Sequence, residues 1–150
     1  MGELRRDVGT SKNKVLRLKL PVPPSVNSIY YNTRGGGRRL TKKAENYIRD
    51  ARALIGLYMD EQRWTKPSTY TWMYADMVYY FPDRRIRDSH NCLKILMDAM
   101  QGFVFQNDYA VMPRIYAVEY DKENPRVEIV IRVQTESERN KGIKLTTVAK

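Results

Sequence analysis

Apolar and basic residues alternate in KVLRLKLP, where Val15, Leu16, Leu18 and Leu20 predict a strand with one buried face that Pro21 ends. The pattern then breaks. In VPPSVNSIYYNTRGGGRRL, prolines fix the start and three consecutive glycines follow, which predicts an irregular, flexible basic flap carrying Arg34, Arg38 and Arg39. Ala44, Tyr47, Ile48, Ala51, Ile55 and Tyr58 recur at three- and four-residue spacing, so KKAENYIRDARALIGLYMDEQ reads as a helix capped by Thr41, with Lys42, Lys43, Arg49 and Arg52 on its other side. After Pro67, the aromatic and β-branched TYTWMYADMVYYF predicts a half-buried strand closed by Pro82. From Ser89 the helical period returns, with Leu93, Leu96, Met97 and Met100 on one stripe, Asp88 or Ser89 as the cap, and Gly102 as the stop. FVFQNDYAVM is a short connection, and RIYAVEYDKE and RVEIVIRV alternate around Asn-Pro as a final antiparallel hairpin. Residues 1–13 read as a loose arm and residues 135–150 as a polar, basic tail around a domain at 14–134. The order β-α-β-α-β-β gives the α+β class, a small mixed β-sheet packed with two main helices.

Composition sharpens this picture. The 150 residues are 42% hydrophobic, enough for one domain that buries about 70% of its unfolded surface. Lys and Arg number 27 against 17 Asp and Glu, a net charge of +10. Such a balance favours a polyanion, because each neutralised phosphate releases condensed counterions. Nucleic acid is the first candidate and an anionic membrane the rival. No apolar run of about 18 residues and no signal-peptide pattern is present, so an intracellular, cytoplasmic protein is expected. Cys92 and His90 are the only cysteine and histidine, which excludes an internal disulfide and a Cys/His zinc cluster. Any metal must rely mainly on carboxylates.

The chemistry concentrates in RRIRDSHNCLK. On a helix at about 100° per residue, His90, Asn91, Lys94 and Asp98 line the polar edge beside the apolar stripe. Asp88 lies within one turn of His90, and His90 and Lys94 are i,i+4 neighbours, so an acid, an imidazole and an ammonium can face one point. Asp108, in FQNDY, offers a second acid if the connection runs back alongside the helix. Plainer readings fit the same residues. Asp88 is an ordinary helix cap, His90 a solvated edge residue, and Lys94 an ion-pair partner for Asp98. Cys92 is a small packing residue, and Tyr79, Tyr80 and Phe81 either stack bases or fill the core.

Three separated blocks change the weighting. LKLPVPPSVNSIYYN, GGGRRLTKKAENYIRD and PDRRIRDSHNCLKILMDAMQGFVFQND resemble, in order and spacing, the RusA-type Holliday junction resolvases, the crossover junction endodeoxyribonucleases, over residues 14–134. The last block resembles the central motif, an Arg-rich loop leading to Asp-x-Asp-Asn-x-x-Lys, then Asp-Ala-Leu, Gly and a second acidic cluster. The resemblance implies a homodimeric, Mg²⁺-dependent endonuclease that binds four-way DNA junctions and nicks two opposed strands, in recombination or repair. Many such proteins are phage-derived. By position, Asp88 matches the first acid, Asn91 the asparagine, Lys94 the lysine and Asp108 the distant acid, while Asn107 stands where another acid is frequent.

His90 departs from the pattern by occupying the place of the second acid. One carboxylate fewer weakens the hold on Mg²⁺, and imidazole suits Mn²⁺ better. On this reading Asp88, His90 and Asp108 hold the ion, which polarises a phosphoryl oxygen and helps generate hydroxide from water. Lys94 stabilises transition-state charge, and Arg34, Arg38, Arg39, Arg84, Arg85, Arg87 and Asn91 position the DNA. Two other readings stand beside it: a branched-DNA-binding module whose cleavage is weakened or lost because of His90, and a basic nucleic-acid-binding protein without metal chemistry.

Overall fold

Alternation is realised first in β1 (Val15–Leu20), which buries Leu16, Leu18 and Leu20 and turns Val15, Arg17 and Lys19 outward. The computed structural model describes residues 15–24, 30–87 and 89–141, without the side chains of Asn91, Asn140 and Lys141. The arm expected at residues 1–13 therefore lies outside the described residues, as do Asp88 and the end of the tail.

Residues 22–24 are irregular, as the prolines imply, but from Tyr30 on the flap is regular. β2 (Tyr30–Asn32) and β3 (Arg38–Leu40) pair antiparallel as a small separate sheet, which corrects the expectation of an irregular loop. The glycines supply turn geometry instead. Gly36 takes a φ of 88°, and Gly37 donates its N–H to Thr33 Oγ1 at 3.0 Å. The first long helix follows as expected: α1 (Lys42–Gln62) starts at Thr41, whose hydroxyl accepts the Ala44 N–H at 3.2 Å, and it buries Ala44, Ala51 and Ile55. Arg63 ends it in the left-handed region at a φ of 56°.

β4 (Met73–Phe81) is one of the two interior strands of a four-stranded sheet. It pairs parallel with β5 (Val111–Tyr120) and antiparallel with β6 (Arg126–Val133), which also pairs antiparallel with β1. The sheet is mixed and the class α+β, as expected. The final hairpin is not formed, because β4 lies between β5 and β6. Alternation marks each segment as a strand but carries no information about its neighbour. Here the chain rounds the end of β4, where the Asp121 N–H donates to the Phe81 carbonyl at 2.8 Å.

A parallel β4–β5 pair requires a crossover, and α2 (Ser89–Met100) supplies it. Its buried face is Cys92, Ile95, Leu96, Met97, Ala99 and Met100, with Leu93 only partly covered. The apolar stripe is therefore rotated from the one expected through Leu93, which lies nearer the polar edge. Gly102 stops the helix at a φ of 86°. Trp64, Tyr79, Phe81, Val104 and Phe105 complete the core. The described part of the polar tail begins as a short helix: α3 (Glu136–Lys141) is held by reciprocal Thr135–Glu138 hydrogen bonds and by Arg132, whose guanidinium meets both Glu138 oxygens at 2.7 and 2.8 Å. Among the described residues, no helix is long and apolar enough to cross a membrane.

Candidate active site

The start of α2 is fixed from beneath. Buried Tyr79 of β4 donates its hydroxyl to the Ser89 carbonyl at 3.0 Å, and burial pushes its phenol well above the usual range, so it stays a donor. From the next residue on, α2 sets His90, Lys94 and Asp98 along one edge at four-residue steps.

The connection after α2 is then folded back. The Gly102 N–H donates to the Phe105 carbonyl at 2.7 Å, and Trp64 Nε1–H, from the end of α1, donates to the Val104 carbonyl at 2.9 Å. Val104 and Phe105 are buried by this return, which brings Asp108, first residue of a short 3-10 turn, alongside α2. His90, Lys94, Asp98 and Asp108 thus line one pocket of about 380 Å³, with Leu93, Met97, Val111 and Pro113 as its apolar walls.

Lys94 is the centre of its electrostatics. Its ammonium stands 3.3 Å from Asp98 Oδ1, and its pKa is raised, chiefly by Asp98, with smaller contributions from Tyr30 and Asp108. The expected i,i+4 pair is therefore present, and it sits inside the pocket. In the sequence Asp98 reads as that partner and as part of the polar edge, with no assigned role at the site. The available signal was its spacing, since His90, Lys94 and Asp98 continue one helical edge.

Asp88 and the Asn91 side chain lie outside the described residues. Among the described residues, no group of three or more His, Cys, Asp or Glu side chains is arranged to hold a metal. His90 and Asp108 contribute one imidazole and one carboxylate to the pocket, a partial donor set that a carboxylate at position 88 would extend.

The cations differ among themselves. Arg34, Arg38 and Arg39 are exposed on the hairpin, and Arg38 lies 4.8 Å over the ring of Tyr30. Tyr30 and Leu40 pack on Ala44 and Ile95, so the hairpin is anchored beside α2. In the Arg-rich loop, Arg84 lies 4.5 Å over the ring of Tyr120. Arg87 pairs with Asp83 at 2.8 Å, and the Arg85 N–H also donates to that carboxylate, at 3.0 Å. These bonds, that of Arg87 first, hold the Asp83 carboxyl below its usual range. Of the residues expected to position DNA, Arg87 is thus the one most committed within the protein. Tyr79 and Phe81 stack on each other in the core at 5.5 Å, while half-buried Tyr80 lies under Arg126.

A basic α+β domain that gathers an imidazole, a lysine and two aspartates in one pocket has the equipment of a phosphodiester-handling enzyme. The family model described as Endodeoxyribonuclease RusA matches residues 21–132, most of the chain, and the protein belongs to that family. Members of this family act on branched DNA as Holliday junction resolvases. No curated protein matches the chain.

Proposed function

We propose that the protein is a divalent-metal-dependent endonuclease that binds four-way DNA junctions as a homodimer and resolves them by paired, symmetric nicks. The observation that carries this reading is the return of Asp108 to a pocket shared with His90 and Lys94, in a chain of the RusA family. Asp88, His90 and Asp108 would hold the ion, Mg²⁺ or Mn²⁺. Bound there, it would supply Lewis-acid polarisation of the phosphodiester and a more acidic water.

The chain's own residues do the rest. Lys94, whose charged form Asp98 further favours, offsets negative charge as it builds on the phosphoryl group. Asp98 holds the ammonium in the pocket. Exposed Arg34, Arg38, Arg39, Arg84 and Arg85, with Arg87 and Asn91, guide the backbone toward the pocket and relieve its repulsion by the acids. A junction has two-fold symmetry, so a two-fold dimer sets one pocket against each of two equivalent strands.

A synthetic four-way junction incubated with the protein and Mg²⁺ or Mn²⁺ should yield two symmetric nicks. Junction binding with no nicking in either metal would defeat the nuclease reading. A second reading, a branched-DNA-binding module with weakened cleavage, is favoured by His90, which stands where the family resemblance places a second acid. His90→Asp separates the two: a large gain in Mg²⁺-dependent nicking supports impairment, and a loss makes the imidazole a working ligand.

A further inference from the structure

A second, larger cleft of about 850 Å³ opens beside the acid pocket, between α1, the end of α2 and the connection that follows it. The two hollows share Asp98, and the chain passes from one to the other in the single step from Asn107 to Asp108. That step is about 3.8 Å of backbone, shorter than a nucleotide. A strand with its phosphate in the acid pocket can therefore reach this cleft with the neighbouring nucleotide.

The lining says which part of a nucleotide suits it. Arg49 pairs with Asp50 at 3.1 Å and Arg52 donates to the Asp98 and Ala99 carbonyls, so both guanidinium groups are already engaged and a phosphate gains less there. Leu40 and Ile48 provide apolar surface. Around them stand the amides of Gln101, Gln106 and Asn107, groups able to donate to and accept from a base edge. Gln106 spends its carbonyl on Lys66 Nζ at 2.6 Å, which turns its NH₂ into the usable end. Asn107 makes no side-chain capping bond to the turn it precedes. The rim is stiffened by Arg52, which donates to the Asp98 carbonyl at 3.2 Å and lies 4.9 Å over the half-exposed ring of Phe103.

We propose that this cleft receives an unpaired nucleobase flanking the cleaved phosphate, and that Gln101, Gln106 and Asn107 select it, so the cleft sets the base preference of cutting. The inference rests on the nuclease reading. Its test uses four-way junctions carrying 5-iodouracil at single positions around the cut, irradiated with the Asp108→Asn protein so that cleavage is not needed. Crosslinks from the position adjoining the cut should fall on the walls of the cleft, within residues 45–52 or 98–107. Crosslinks from that position confined to other segments, such as the β2–β3 hairpin, overturn the proposal.

In a second arm, the double variant Gln101→Ala, Gln106→Ala should lose about tenfold or more of the discrimination between flanking bases. Unchanged discrimination, or a wild-type protein that cuts beside all four bases alike, overturns the proposal and leaves the nuclease reading intact. A wild-type protein that binds no junction overturns both.

Discussion

Lys94 stands between two carboxylates of different origin, Asp98 on its own helix and Asp108 from the returning connection. Both raise its pKa, Asp98 most, so the ammonium persists to higher pH than it otherwise would. Neutralising Asp98 removes the larger contribution. Activity that depends on charged Lys94 should then fall at lower pH on the alkaline side, while the lysine remains charged near neutrality. In an Asp98→Asn variant, the alkaline limb of the pH–rate profile should therefore move down; an unmoved limb would show that the Asp98 contact does not govern the protonation that matters. Single residues of the site were partly legible in the sequence. Lys94 and Asp108 stood out by motif and His90 by its departure from it, but Asp98 read as a surface partner because only the fold shows a pocket on that edge. Asp83 went unnoticed for a similar reason. Its binding of Arg85 and Arg87 depends on the turn after Phe81, which no periodicity announces.

At the scale of elements, local rules succeeded and pairing rules did not. Thr41 and the three- and four-residue spacing defined α1 at both ends, because a cap and an amphipathic stripe are properties of contiguous residues. The cap is testable. Thr41→Ala should cost about 1 kcal/mol in denaturant unfolding, and a change within error would mean that the Ala44 N–H finds another partner. Sheet order was hidden because β5 and β6 alternate equally well whichever strand lies beside them. Only the length of the β4–α2–β5 segment hints at a parallel crossover. That crossover matters to the site, since it delivers α2 and then Asp108 to the same end of the structure. The three glycines misled for a further reason: they permit disorder and tight turns alike, and Gly36 serves the turn.

At the scale of the molecule, a net charge of +10 and a pocket containing acids work together. The positive field draws in the polyanion, and acids close to an anionic phosphodiester are tolerated only where cations surround them. In the proposed nuclease the fold makes Asp108 part of the cutting centre although it is remote in sequence from the α2 motif. The most direct measurement is nicking of a four-way junction by the Asp108→Asn protein in Mg²⁺ and Mn²⁺, alongside junction binding by gel shift. The rate should fall at least about 100-fold below wild type, with binding retained. Nicking at the wild-type rate would contradict that role of Asp108.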